Sequence, residues 1–210
     1  MNTNSKVEIG GQPFLDYARA TPREAVNLAK QHKERYLSKD SMAWAAYSTL
    51  QAAMRRAVNA PDPKVELDKA VAWAAARTDW TATAYEECAA GFLKLLPKGA
   101  TGIRVRTPRW SDGDLTIVVR NLIGLRLRTG EQELVLPYVK EPALDQATAD
   151  FLLCLMEEVI DQALPGAKPV IWDTRRGKAF RLRANTNRRS LGACLRGLAA
   201  KYLREWDLAA

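Results

Sequence analysis

The chain has 210 residues, of which 47% are hydrophobic and 27% charged, and its formal net charge is +8 at pH 7. This composition can supply an apolar core and excludes wholesale disorder. No run approaches the roughly 18 apolar residues of a membrane-spanning helix, and the first residues lack the apolar stretch of a secretory signal. We therefore expect a cytoplasmic protein with no membrane partner, in which Cys88, Cys154 and Cys194 are buried free thiols.

The first hundred residues favour helices. Residues 1–20, which contain Gly10-Gly11, are expected to form a flexible arm. Thr21 and Glu24 form a capping box around a proline at the first helical position, which marks a helix start. The helical region, residues 21–100, is predicted to contain four helices, from Thr21 to about Tyr36, from Asp40-Ser41 to about residue 60, from Pro63 to about Arg77 and from Thr81 to about Leu96.

The stretch from residue 114 to 140 carries the main strand pattern. Residues 125–128 and 133–136 alternate apolar and polar around Thr129-Gly130, which predicts an antiparallel hairpin with a two-residue turn. In the predicted register Leu125 lies opposite Leu134, and the leucines share one buried face. Shorter strands are expected at residues 103–106 and 115–119, with a loop from residue 108 to 113 and a bend or bulge at Asn121.

The remaining residues predict a helix, a second hairpin and a final helix. The helix from about Asp145 to Ala163 should cover the leucine face, the hairpin joins residues 170–172 to 179–183, and the last helix runs from about 190 to 207. The predicted fold class is α+β, with a helical N-terminal half followed by a small, mainly antiparallel sheet with packed helices (β-β-β-α-β-β-α). Residues 101–210 form the α+β region, and we expect one compact unit.

The C-terminal third concentrates positive charge. From Leu164 to the end there are eleven Lys/Arg and three Asp/Glu, a balance of +8, and residues 175–189 hold seven basic residues and no acidic one. A basic hairpin of this kind can neutralise phosphates. The predicted binding residues for nucleic acid, another polyanion or an acidic protein are Arg175, Arg176, Lys178, Arg181, Arg183, Arg188 and Arg189. The other interpretation is a solvated surface that pairs with the acidic face of the preceding helix.

The order of helix, three strands, helix and strand from about Thr81 to Trp172 resembles the core of the PD-(D/E)xK nuclease superfamily. The resemblance implies that Asp114, Glu131 and Glu133 are catalytic candidates, which would hold Mg²⁺ and position a water for attack on a phosphodiester. The acidic-x-Lys motif of that superfamily is incomplete here, because no lysine follows Glu133 before Lys140. Arg128 and Arg126 are the predicted cross-strand partners of Glu131 and Glu133.

The sequence thus predicts a non-enzymatic protein that binds nucleic acid or an acidic partner through its basic C-terminal hairpin and helix, with no cofactor and no metal. A PD-(D/E)xK-like nuclease fold, degenerate in its motif and dependent on Mg²⁺, is one alternative. A structural protein that forms homo-oligomers, with the basic surface of one copy on the acidic helix face of another, is the second. The single histidine, His32, is expected on an exposed helix surface.

Overall fold

A computed structural model describes residues 6–37, 45–77 and 79–209. The predicted second helix begins at Asp40-Ser41, which lies outside these ranges. Within them, no helix is both long enough and apolar enough to cross a bilayer. The helices are α1 (Gly11–Arg19), α2 (Pro22–Leu37), α3 (Ser48–Ala57), α4 (Pro63–Ala75), α5 (Asp79–Leu95), α6 (Gln146–Glu158), α7 (Ile160–Ala163) and α8 (Arg188–Leu208).

The strands of the described ranges form two mixed sheets. They are β1 (Val7–Gly10), β2 (Thr101–Ile103), β3 (Arg109–Asp112), β4 (Leu115–Val118), β5 (Ile123–Arg126), β6 (Gln132–Tyr138), β7 (Lys168–Asp173) and β8 (Lys178–Phe180). The smaller sheet has the order β1-β4-β3 and the larger sheet β2-β5-β6-β7-β8. The neighbours β6 and β7 are parallel and are joined by the helical crossover of α6 and α7. The predicted α+β class, with a helical N-terminal half before the larger sheet, is confirmed.

The larger sheet is buried on both faces. On one face, Leu134 and Leu136 pack in a core that also contains residues of α1, α6 and α8. On the other face, Leu125 and Val135 pack in a second core with residues of α3, α4 and α5. The predicted helix over residues 145–163 covers the first face as expected, and it divides into α6 and α7. Since both faces are apolar, the sheet forms the middle layer between two groups of helices.

The hairpin of β5 and β6 is present, but its predicted register is wrong by one residue. Leu125 lies opposite Glu133, and Leu134 lies opposite Gly124. The shift sends Leu125 and Leu134 to opposite faces of the sheet, and both are fully buried. A leucine can be buried on either face here, so apolar alternation alone cannot specify the register.

The shift comes from the loop. The backbone N–H of Leu127 donates to the carbonyl of Glu131 at 2.8 Å, and that of Gly130 donates to the carbonyl of Leu127 at 2.9 Å. Gly130 has a φ of +87°, a left-handed conformation that glycine adopts without strain. The connection is therefore three residues long, a common hairpin type that ends in a glycine of this kind.

The N-terminal residues depart most from the prediction. The flexible arm expected over residues 1–20 is wrong for residues 7–19, because β1 pairs in parallel with β4 and α1 buries Phe14, Leu15 and Tyr17. Strand β3 replaces the loop predicted over residues 108–113, and β2 ends at Ile103, before most of the strand predicted over residues 103–106. Both β1 and β3 depend on β4, a partner that their own sequences do not reveal.

Candidate functional site

The predicted basic surface of the C-terminal segment is largely neutralised within the fold. Four of its seven residues form ion pairs, which are Arg175–Glu87, Arg176–Asp173, Arg181–Glu133 and Arg188–Glu157. Arg175 has only 14% of its side chain exposed. Lys178 lies over the ring of Phe180, with 4.6 Å between Nζ and the ring centroid. Arg183 and Arg189 are exposed, and their side chains form no ion pair or hydrogen bond with any described residue.

The same neutralisation extends over the whole C-terminal third. Three further ion pairs, Lys168–Glu131, Arg196–Glu158 and Lys201–Glu205, bring the number of paired basic residues after Leu164 to seven of eleven. Five of the partner carboxylates belong to earlier parts of the chain. In particular, Glu157 and Glu158 on the acidic face of α6 pair with α8 of the same molecule. Basic residues are therefore in excess along this segment of the sequence, but the fold places carboxylates from earlier parts of the chain beside five of them.

The three nuclease candidates do not form a common site. Asp114 precedes β4 in the smaller sheet, whereas Glu131 and Glu133 lie at the start of the larger sheet's β6. Glu131 is paired with Lys168 at 2.5 Å, and the buried Glu133 is paired with Arg181 at 2.8 Å. In the part of the chain that the structure describes, no group of three or more His, Cys, Asp or Glu is placed to hold a metal ion.

Two polar residues are placed differently from the prediction. His32 was expected to be exposed, yet it is buried between α2 and α8, and its Nδ1 lies 3.3 Å from the hydroxyl of Tyr202. Burial lowers the pKa of His32 to about 4. Cys194 was expected to be buried but is exposed, whereas the buried state of Cys88 and Cys154 is confirmed. Helix α8 buries its other face, so sequence spacing alone misplaced Cys194.

A cluster of arginines without carboxylate partners among the described residues lies at the β2 edge of the larger sheet, opposite the β8 edge. Strand β2 is the outer strand there, and five exposed arginines of the described ranges lie beside it. We call them the β2-edge arginines, and they are Arg55, Arg104, Arg106, Arg126 and Arg128. Within the described ranges none of them forms an ion pair with a carboxylate.

The fold brings these arginines together from three separate segments. Arg126 lies directly opposite Thr101 of β2, and the side chain of Arg128 lies against Gly99, just before that strand. Arg104 directly follows β2, and at about 3.3 Å per residue its Cα lies roughly 10 Å from Thr101 along the edge. The nearby backbone N–H of Arg106 donates to the carbonyl of Ala163 at 3.2 Å, which fixes this part of the chain.

Arg55 reaches the same edge from α3. Its guanidinium donates to the side-chain oxygen of Asn121 at 3.0 Å. Asn121 has a φ of +62°, so the bend predicted there is confirmed. Partial burial and then the neighbouring charge of Arg56 lower the pKa of Arg55 from its ordinary value. An anion beside Arg55 would supply the counter-charge that this guanidinium does not receive from the described residues.

A groove of about 350 Å³ lies between α3 and β2. Arg55 lines it from α3, Val58 and Asn59 line it from the turn that follows this helix, and residues 102–105 and 122–124 line it from the strands and their connections. Among the residues that the structure describes, no Asp or Glu lines it. The side-chain oxygen of Asn59 accepts a hydrogen bond of 2.7 Å from the backbone N–H of Gly102, which holds α3 against the strand. A Cβ at Gly102 would lie only 2.7 Å from the Asn59 amide nitrogen, so glycine permits this close approach.

The sequence does carry a signal for this site. Arg104-Val105-Arg106 and Arg126-Leu127-Arg128 place arginines at two-residue spacing, which puts each pair on one side of an extended segment. The predicted hairpin register assigned Glu131 and Glu133 as the partners of Arg128 and Arg126. In the structure those carboxylates pair with Lys168 and Arg181 instead. Arg126 and Arg128 therefore do not have their predicted counter-charges.

No family model, curated protein or solved structure matches the chain.

Proposed function

We propose that this protein binds nucleic acid and that the β2-edge arginines contact the phosphates. The observation that carries this is the gathering of five exposed arginines at one sheet edge, none with a carboxylate partner among the described residues. Phosphate groups would provide the counter-charge and release condensed counterions on binding. The chemistry required is binding alone, with no cofactor and no metal.

The residue type favours phosphate as the ligand. A guanidinium presents its donors as a planar fork that can bind two oxygens of one phosphate, whereas a lysine ammonium acts as a point charge. All five positions of this cluster are arginine. Arg104 and Arg126 lie at the two ends of β2, so they can contact successive phosphates of an extended strand rather than a single anion.

The direct test is a binding titration with short, fluorescently labelled DNA and RNA at low salt. Replacing Arg104 and Arg126 with alanine should weaken binding at least about tenfold, since each lost hydrogen bond to a charged group contributes about 1.5–3 kcal/mol. The matched control replaces Arg183 and Arg189, two exposed arginines whose side chains also have no ion pair among the described residues. It removes the same charge from a segment that does not border β2 and should change affinity much less.

Three results would overturn this proposal. A loss of binding in the Arg183 and Arg189 variant alone would instead support the sequence-based prediction of a C-terminal binding surface. Equal losses in both variants would indicate a general effect of net charge. A wild-type protein that binds polyglutamate but neither DNA nor RNA would point to an acidic protein partner.

A further inference from the structure

We propose that the groove between α3 and β2 receives one unpaired base, so that the protein prefers single-stranded to double-stranded nucleic acid. This inference rests on the proposed function, because the β2-edge arginines must hold the backbone beside the groove. The β2-edge arginines alone would contact the phosphates of any nucleic acid. The groove would in addition select a nucleotide whose base is exposed.

The size and the walls of the groove fit a base. Its volume of about 350 Å³ lies within the range of small-molecule pockets, which begins at about 300 Å³. Ile103 and Val105 are half-buried lining residues and provide apolar surface for the face of a ring. Arg55 and Arg104 line the same groove and can stack on a base or bind its flanking phosphate.

Two polar groups of the groove have unused hydrogen-bonding capacity. The amide oxygen of Asn59 is occupied by the backbone N–H of Gly102, so its NH₂ group is left as a donor without a partner among the described residues. The N–H and C=O of one residue in an antiparallel strand point to the same side. Because the N–H of Gly102 points away from β5 to Asn59, its carbonyl also faces outward. A donor and an acceptor therefore lie side by side.

An unpaired base can enter the groove and offer its pairing edge to these two groups, whereas a base stacked in a duplex cannot. In a duplex the base edges that carry the pairing donors and acceptors are occupied, and a base must leave the stack to enter a protein pocket. A single strand has its bases exposed, so it can place one in the groove while the β2-edge arginines contact its phosphates. Arg55 is already oriented by its hydrogen bond to Asn121, which reduces the ordering that binding requires.

The test compares single-stranded and double-stranded oligonucleotides with wild type and two variants. Asn59→Asp keeps an oxygen that accepts from Gly102 but removes the free NH₂ donor and adds a negative charge. Thr101→Asp adds the same charge on β2, beside Gly102, at an exposed residue that does not line the groove. We expect wild type to bind the single strand more tightly. Asn59→Asp should reduce the ratio of single-strand to duplex affinity at least about fivefold, the lower end for one good base contact.

Thr101→Asp should weaken both ligands by a similar factor and leave the ratio unchanged. A titration of isotope-labelled wild type with a nucleoside monophosphate provides a second measurement that needs no variant, and it should shift the NMR signals of the Asn59 side-chain amide and the Gly102 backbone amide. Equal affinity for single-stranded and double-stranded oligonucleotides would overturn the groove assignment. A nucleotide titration that leaves those two NMR signals unchanged would do the same. Neither result would contradict the proposed phosphate contacts. No binding to either strand type would overturn both proposals.

Discussion

Gly91 is the point at which α5 meets the turn between β7 and β8. A Cβ at this position would lie 1.7 Å from the carbonyl oxygen of Thr174 and 2.8 Å from its carbon. The turn is held in place, since the N–H and the hydroxyl of Thr174 both donate to the carbonyl of Tyr138, at 3.0 and 2.9 Å. Gly91→Ala must therefore displace a helix or break buried hydrogen bonds.

The magnitude follows from two opposing effects. Alanine is favoured over glycine in a helix interior by about 1 kcal/mol. Overpacking typically costs about 1–3 kcal/mol and occasionally more. A contact of 1.7 Å with backbone atoms belongs at or above the upper end of that range. We expect Gly91→Ala to lower the free energy of unfolding by about 2 kcal/mol or more.

Gly197 in α8 is the matched control. It is exposed, and a Cβ there would meet no atom within 4 Å. Gly197→Ala should therefore raise the free energy of unfolding by about 0.5–1 kcal/mol. Urea unfolding followed by far-UV circular dichroism measures both changes, which should have opposite signs. A Gly91→Ala protein at least as stable as wild type would refute the close contact between α5 and the turn.

Three further predictions concern the cores. Leu136 is 1% exposed, so Leu136→Ala should lower the free energy of unfolding by about 2–5 kcal/mol in the same urea assay, and a loss below about 1 kcal/mol would contradict its burial. The folded protein holds the pKa of His32 at about 4, below its ordinary value of 6.5. Below pH 6.5 the unfolded chain binds the proton first, so stability should fall by up to about 3 kcal/mol as the pH drops from 6.5 to 4. This part of the pH dependence should disappear in His32→Leu, and an identical dependence in the variant would refute it. A thiol reagent should label Cys194 in the native protein and leave Cys88 and Cys154 unmodified until it unfolds, whereas early labelling of the buried pair would contradict the core.

Apart from α1, which lies in the segment expected to be a flexible arm, the helices could be predicted because their signals are local. Thr21 and Glu24 form the expected capping box, with hydrogen bonds of 2.9 Å from the Thr21 N–H and 2.8 Å from its hydroxyl to the Glu24 carboxylate. Asp145 caps α6 as expected, by accepting from the N–H of Thr148 at 2.7 Å. Both contacts join residues that are three positions apart, so the spacing of these residue types in the sequence is enough to predict them.

The strands and the charge clusters depend on contacts between distant residues. Val7 pairs with Leu115, and no pattern around Val7 identifies that partner. The charge balance around the C-terminal segment depends on the fold for the same reason, because Arg175 meets Glu87 and Arg181 meets Glu133 only after folding. The net charge of a segment, counted from its sequence, leaves out the carboxylates of distant residues that the fold places beside it.

The salt dependence of binding tests the central claim most directly. If all five β2-edge arginines neutralise phosphates, the slope of log K against log salt should be about −4.5 on duplex DNA, or about −3.5 on a single strand. Replacing Arg126 and Arg128 with alanine should flatten the slope by about 1.4–1.8 units. Replacing Arg183 and Arg189 should leave it unchanged. An unchanged slope in the Arg126 and Arg128 variant would contradict the claim that this edge contacts the phosphates.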